Sequence, residues 1–472
     1  MGLIDAAEAV KRANTLRDKN STCSGGEGGG LMFNIHGLIK FWARKSPELI
    51  LHEMRGTKLI ADPFCGSGST GFCAILIGAT CLLSDINPVS VFIAYNVLNN
   101  EALKTETIET MKKVCSEIDD EVYTLGNSKK VSFAVWNKNR IISLKFTSGK
   151  LTQDKSLIKE YMAIEEKLKM KFWYPTGKFV YPGTDINFRD GPHRPIEIND
   201  LFTRRNLYVT SKLYYYIEEI WKKDKTQGDL LKLAFIASLA NATKMIPYAR
   251  SSGPSWKVPR YWIPSLREER NFCITFLRRL LLLNLFKEKW SAIASDYHIT
   301  VSYDGGIVTP HEKSIQIYRA DALNTYSNLP KLDLVVLDPP HYDEINYFEL
   351  TYLWQKWLEG KYGDERFKCY DYWNKEICVN KKIGKDLEWY NAKLCDVVSH
   401  YVDYLNKNGK IILILHNKDR NILKRTVREI KKAIGNDFTF RSIYIVPRVP
   451  STTQGLHGHR KYLCIAKISR VT

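Results

Sequence analysis

The sequence predicts an α/β fold, a seven-stranded and largely parallel sheet interrupted by a large, mostly helical insertion. Three observations carry this expectation. Short apolar runs that end in aspartate recur at 58–62 (KLIAD), 81–85 (CLLSD) and 333–338 (DLVVLD). Helical patterns follow these runs, so the strands pair in parallel through right-handed crossovers. Between 101 and 313 the alternation stops and long helical patterns take over.

Taken in order, residues 5–19 read as a short amphipathic helix, and 24–30 (SGGEGGG) as a linker or loop. KLIAD is the first strand, the glycine-rich FCGSGST follows it, and FCAILIGA forms a helix. CLLSD is the second strand, with another helix starting near Pro88. In the insertion, 201–222, 229–243 and 268–290 carry helical patterns. SIQIYRAD is a third strand and DLVVL a fourth. Residues 389–405 form an amphipathic helix with a stop at Asn408-Gly409. KIILILH suits a sheet centre, being apolar on both faces. A basic helix at 420–433 and the strands FTFRSIYIV and KYLCIAKI complete the chain. The expected organisation is an N-terminal segment 1–32, a first catalytic part 33–100, an insertion 101–313 that reads as a recognition domain, and a second catalytic part 314–472.

Composition narrows the function. The chain is 44% hydrophobic and 26% charged, enough apolar residues for a sizeable core. Its 70 Lys and Arg against 51 Asp and Glu give a net charge of +19, which favours a polyanionic partner because phosphate contacts release counterions. The ten cysteines include no CxxC pair, so zinc-ribbon and thioredoxin spacings are absent, no metal is expected, and free thiols in a reducing cytoplasm are. The N-terminus lacks the apolar core of a signal peptide, and the longest apolar runs fall far short of the ~20 residues that span a bilayer. A cytoplasmic protein with no membrane association is expected.

In a doubly wound, Rossmann-like sheet, ligands bind beyond the carboxyl ends of the strands at a topological switch point. Asp62, Pro63, Phe64, Cys65, Gly66, Ser67, Gly68, Ser69 and Thr70 join the first strand to its helix. Gly66 and Gly68 permit a tight turn and close approach to a ligand. The loop is neither GxGxxG nor a P-loop, since it lacks the third glycine and any Gly-Lys-Ser/Thr. Asp85 lies 23 residues after Asp62 at the next strand end, where a carboxylate accepts from ribose hydroxyls. Its simpler role is to cap the helix at Pro88. Ile86 and Asn87 adjoin it, and Asp321 with Ala322 ends the third strand, where a carboxylate can accept from an adenine amino group or serve as a turn residue.

Asp338, Pro339, Pro340, His341 and Tyr342 follow DLVVL. Alkylating the amino group of a nucleobase is hard, because its lone pair is delocalised into the ring. A carboxylate on Asp338 and the stiff carbonyl of Pro339 can each accept one N–H and favour a pyramidal nitrogen. An aromatic residue beside them can stack on an extruded base. A plain Pro-Pro turn ending a strand is the alternative.

Together DPFCGSGST, SDINP and DPPHYD resemble the amino-group DNA methyltransferases that make N6-methyladenine or N4-methylcytosine. Within them the chain is similar to the adenine-specific DNA methylases with a large insertion ahead of a DPPY motif. Further blocks carry the likeness: FNIHGLIKFWARKSPELI (33–50), LFTRRNLYVTSKLYYYIEEI (201–220), DPPHYDEINYFELTYLWQKWL (338–358) and YVDYLNKNGKIILILH (401–416). The resemblance covers most of 33–467 and is weak between 100 and 174. It implies S-adenosyl-L-methionine as cofactor and double-stranded DNA as substrate, and it leaves open restriction or phage-defence partner proteins. It places Phe64, Gly66 and Gly68 on the cofactor loop, Asp85 at the ribose, and Asp338 and Pro339 at the target amine. The block holding His36 would enclose the methionine end of the cofactor. His341 departs from the family, which has Tyr, Phe or Trp there; Tyr342 can share the stacking role.

Residues 244–279 hold eight basic against two acidic residues, interleaved with Tyr248, Trp256, Tyr261 and Trp262. Arg250, Trp256, Lys257, Arg260 and Trp262 are candidate DNA contacts, as are Arg189, Arg194, Arg204 and Arg205 in the loop around 188–205. An ordinary basic segment with core aromatics reads the same way. The helix at 418–432 reads as a solvated face. Two other readings stand. DPFCGSG also resembles the tRNA guanine-N2 methyltransferases, although only 61 residues precede Asp62 where those carry an RNA-binding domain. A degenerate fold that only binds DNA is the other, against which the intact Asp338-Pro339-Pro340 argues. A C5-cytosine methyltransferase needs a nucleophilic cysteine after proline, and no Pro-Cys occurs.

Overall fold

The computed structural model describes residues 37–39, 41–42, 45, 47–126, 128–178, 180–181, 184–185, 197–248, 261, 263–304, 309–323, 330–368, 370–448 and 461–471. The expected helix at 5–19 and the glycine-rich 24–30 lie outside them. The first elements are α1 (Pro47–Glu53), β1 (Leu59–Asp62), α2 (Ser69–Ile77), β2 (Thr80–Asp85) and α3 (Pro88–Leu98). Next come α4 (Thr105–Val122), β3 (Val131–Asn137), β4 (Arg140–Phe146), β5 (Leu151–Thr152), α5 (Lys155–Lys167), and the short pair β6 (Val180–Tyr181) and β7 (Thr184–Asp185). Then follow α6 (Arg204–Lys223), α7 (Lys225–Leu239), β8 (Leu266–Arg270), α8 (Phe272–Ile293), β9 (His298–Ser302) and β10 (Ser314–Arg319). The last are β11 (Leu332–Leu337), α9 (Tyr347–Glu359), α10 (Leu387–Val402), β12 (Leu405–Asn417), α11 (Arg420–Ala433), β13 (Phe438–Arg448) and β14 (Lys461–Arg470).

Among the described residues the main sheet has eight strands in the order β13-β14-β12-β11-β1-β2-β10-β9. All pairings are parallel except those of β14, which runs antiparallel to β12 and β13. Buried apolar runs explain the centre: Ile60 and Ala61 of β1 pair with Leu334 and Val335 of β11, all fully buried. The chain moves outward from β1 through β2 to the edge strand β9, steps back one place as β10, then crosses to the other side of β1 as β11. The switch point therefore falls between β1 and β11, where ligands bind in such sheets.

The structure adds to or departs from the expectations at three points. The sheet has eight strands rather than seven. The added β9 pairs with β10, yet its HITVS residues are only half-buried or exposed and give no apolar signal. The insertion, expected to be mostly helical, also holds a four-stranded antiparallel sheet, β5-β4-β3-β8. The predicted stop at Asn408-Gly409 does not end α10, which finishes at Val402. Gly409 sits inside β12 beside a register shift in its pairing with β11, and a Cβ there would lie 2.5 Å from the Leu332 carbonyl. The glycine serves a close backbone approach within a strand.

The insertion is fastened to the sheet by α8. The Lys287 ammonium, fully buried, donates to the carbonyls of Val97 and Asn99 and to Asn99 Oδ1 at 2.7–3.2 Å. The Trp290 indole donates to the Leu98 carbonyl at 2.7 Å and stacks on Phe72 of α2 at 4.7 Å. These donors satisfy the carbonyls left open at the carboxyl end of α3, while burial holds the Lys287 pKa well below its ordinary value. Among the described residues no helix is long and apolar enough to cross a membrane.

Candidate active site

The loop after β1 is held from both sides. Asp62, fully buried, accepts from the Phe64 amide at 3.0 Å and from the Thr70 hydroxyl in the first turn of α2. Gly66 and Gly68 adopt φ of +52° and +86°, the left-handed region that glycine occupies without strain. The Gly66 amide donates to Asp85 Oδ2 at 3.0 Å, and the Asn87 amide to Oδ1 at 2.9 Å. Asp85 thus ties the loop to the end of β2. Each of its oxygens keeps acceptor capacity for a further donor. Burial pushes its carboxyl up to about 6, partly offset by these two amides. Asn87, not Asp85, caps α3, accepting from the Val89 amide at 3.0 Å.

Asp338 immediately follows β11. Its side chain is 6% exposed, with His341 Nε2 3.5 Å from Oδ1 and Lys45 Nζ 4.0 Å from Oδ2. Lys45 stands between the two loops: it is also 3.3 Å from Asp62 Oδ2 and donates to the Phe64 carbonyl. Burial lowers the Lys45 pKa, but Asp62 and Asp338 outweigh it, so the ammonium titrates above its ordinary 10.5. The turn itself is pinned through Pro340, whose carbonyl accepts from the Tyr390 hydroxyl at 2.8 Å and the Tyr342 amide at 3.1 Å.

One cleft of about 740 Å³, open mouth included, joins these parts. The loop after β1 gives it Pro63, Phe64, Cys65, Gly66, Ser67 and Ser69, and the end of β2 gives Asp85, Ile86 and Asn87. Asp321 and Ala322 line it beyond β10, and Asp338 and Pro340 beyond β11. Asp321 also closes a local turn by accepting from the Leu323 amide at 3.1 Å. Gly68 and Thr70 stand behind the wall, and Pro339 is buried. Residues 62 to 338, far apart in sequence, therefore meet at one rim of the sheet.

Two residues of the turn after Asp338 lie away from the cleft in which a stacking role was expected of them. Tyr342, 2% exposed, has φ of +53°; its ring packs on Tyr390 at 4.6 Å and its hydroxyl meets Thr426 at 2.8 Å. His341, 4% exposed, packs against His416 at 4.3 Å and is not part of the cleft lining. The aromatic wall comes instead from Phe41, Trp42, Phe64, Tyr347 and Phe348, with Phe41 and Tyr347 stacked at 5.6 Å and 19°. Lys375, Glu376 and Ile377 close the far side. Phe41, Trp42, Lys45 and Tyr347 lie inside the sequence blocks noted above; 375–377 belong to no motif.

Among the proposed DNA contacts, Arg205 requires correction. Its guanidinium is fully buried, 2.8 Å from Glu269, and lies 3.5 Å over the Tyr161 ring, so it is a core group of the insertion. Arg204 next to it is exposed and donates to the Leu168 carbonyl at 2.7 Å. His36, Arg189, Arg194, Arg250, Trp256, Lys257, Arg260 and Trp262 lie outside the described residues. Among the described residues no cluster of three or more His, Cys, Asp or Glu could hold a metal.

No protein-family model matches the chain. A parallel-dominated sheet with a ligand cleft at its switch point fits a Rossmann-like methyltransferase. The chain is 22% identical over 442 residues to the Type II methyltransferase M.MjaII of Methanocaldococcus jannaschii, a match covering 85% of this chain and 77% of that protein.

Proposed function

We propose that this protein is an S-adenosyl-L-methionine-dependent DNA methyltransferase acting on the exocyclic amino group of adenine (N6) or cytosine (N4). The observation that carries this reading is the shared cleft: Asp338 and the Gly66 loop line one cavity, bridged by Lys45. The residues suit the cofactor chemically. Asp85 offers acceptor capacity for ribose hydroxyls, and Phe64, Ile86 and Ala322 offer apolar contact for a purine. Gly66 lines the cleft, and a Cβ there would crowd the Phe41 ring at 3.3 Å, so glycine keeps the loop backbone open to the cleft. Lys45 lines the cleft beside this loop and carries a charge complementary to the carboxylate of an amino-acid end, with Asp62 buried behind it as its counter-ion. When bound, the cofactor supplies a methyl carbon made electrophilic by its sulfonium.

The remaining work falls to this chain. The Asp338 carboxylate accepts one N–H of the target amine and the Pro339 carbonyl the other, which turns the nitrogen lone pair toward the cofactor. The nitrogen gains a bond to the methyl carbon as that carbon's bond to sulfur breaks, the bonding pair staying with sulfur as a neutral thioether, and the nitrogen sheds one proton to Asp338. Lys45 fixes Asp338 against the cofactor loop and keeps its charge compensated in a buried place. The Phe41 and Tyr347 rings supply stacking for a base extruded from the duplex. The similarity to a Type II methyltransferase and the net charge of +19 support DNA as the polymer.

The test is to incubate purified protein with methyl-labelled cofactor and an equal mixture of DNA and RNA, then digest both to nucleosides. Label on N6-methyl-2′-deoxyadenosine or N4-methyl-2′-deoxycytidine from the DNA is expected. Label in RNA guanine, on cytosine C5, or nowhere would contradict the proposal.

A further inference from the structure

The segment 372–382 belongs to no motif, yet Lys375, Glu376 and Ile377 line the cleft, and the exposed Lys381 and Lys382 follow shortly after them. Its inner side is anchored. The Glu376 side chain, 2% exposed, accepts from the Tyr347 amide at 2.6 Å, and the Glu376 carbonyl accepts from the buried Lys385 ammonium at 2.8 Å. The Val379 amide donates to the Tyr342 carbonyl at 2.8 Å, fastening the segment to the turn that follows Asp338. Its outer side carries Lys375, Lys381 and Lys382, all exposed. A tight turn presents the last two: Asn380 and Lys385 exchange backbone hydrogen bonds, Asn380 Oδ1 accepts from the Lys382 amide at 3.2 Å, and Gly384 takes φ of +74°. Among the described residues no carboxylate is paired with these three lysines. Lys375 lines the cleft and lies 4.9 Å over the Tyr372 ring, whose vicinity also holds Arg319 at 5.3 Å.

We propose that the exposed lysines of 372–382 grip the phosphates flanking the base that enters the cleft, so that this strip is a DNA-backbone interface. The inference rests on the DNA methyltransferase reading above. A base extruded into a cleft remains tethered to its two phosphates, which must then lie at the mouth. Lys375 stands at that mouth, and Lys381 is four residues beyond Ile377 of the cleft wall, within about 14 Å of extended chain. The anchoring of Glu376 and Val379 holds the cations ready without ordering on binding. The strip is separate in sequence from 188–205 and 244–279, which the sequence singled out.

The experiment measures binding of the full chain to a fluorescent 30-base-pair duplex between 50 and 300 mM salt. Wild type is compared with K375Q/K381Q/K382Q and with K424Q/R428Q/K431Q, which removes the same charge from the exposed side of α11. Melting temperatures establish that each variant is folded. The strip variant is expected to bind on the order of 10- to 100-fold more weakly near physiological salt, with the log–log salt slope reduced by about two to three. The α11 variant is expected to track wild type. Equal slopes for wild type and the strip variant, or an equal loss in the α11 variant, would overturn this inference alone. A wild type with no salt-dependent duplex binding would overturn it together with the DNA reading.

Discussion

At the scale of single residues, the cleft is a balance of buried charges. Asp85 is the clearest case, because burial raises its carboxyl from 3.8 to about 6. An acid with a raised folded-state pKa binds more protons folded than unfolded between those two values. Its cost to stability is therefore full above about pH 6 and fades as pH falls toward 4. That displacement corresponds to about 3 kcal/mol. Asp85→Asn keeps one acceptor for the Gly66 or Asn87 amide and loses the other, so a net gain of about 1 kcal/mol is expected at pH 7.5, turning into a net loss of about 1 kcal/mol near pH 4. Chemical denaturation at both pH values measures it. The same variant should bind the cofactor at least ~10-fold more weakly, since charge-assisted hydrogen bonds are the strong ones. Lys45 is the opposite case. Lys45→Met strands Asp62 and Asp338 in a buried place and should cost about 3 kcal/mol. Lys45→Arg should recover part of both stability and methyl transfer, as melting and label incorporation would report.

At the scale of elements, packing decides which sequence signals hold. Asp62, Asp85 and Asp338 were legible because each ends a run of apolar residues, and buried parallel strands put their carboxyl ends on one rim. Lys45 and 375–377 were not legible as partners of those aspartates, because their approach depends on the path of the chain rather than on local pattern. Arg204 and Arg205 show the limit of composition. Successive helical residues point about 100° apart, so one faces outward and its neighbour is buried on Glu269. Arg205→Ala is expected to destabilise the protein by roughly 3–5 kcal/mol, leaving Glu269 buried without its partner. Duplex affinity of the folded fraction should be unchanged, which an anisotropy titration at low temperature checks. The start of α2 carries a different constraint. At Gly68, with φ of +86°, a Cβ would lie 3.1 Å from Leu98 Cδ1 and 3.3 Å from the Ala94 backbone. Gly68→Ala should cost about 1–3 kcal/mol in a melt, and Gly78→Ala less, since nothing lies within 4 Å of a Cβ there although its φ is +81°.

At the scale of the whole molecule, the insertion and the sheet share one hydrophobic core, with Leu230, Phe235 and Trp290 in the same cluster as Ile60, Phe72 and Ile315. Far-ultraviolet dichroism and tryptophan fluorescence should therefore report coincident unfolding transitions, and separated midpoints would mean that the two parts fold independently. The α/β class and the interrupted order were readable from alternating patterns. The eighth strand and the small antiparallel sheet were not, because half-buried strands such as β9 lack an apolar run. The account stands on the joining of two distant loops in a single cleft. Asp338→Ala tests that joining most directly when cofactor affinity and methyl transfer are measured on the same preparation. Affinity close to wild type with transfer to DNA reduced by at least ~100-fold is the result expected. Undiminished transfer would contradict the account.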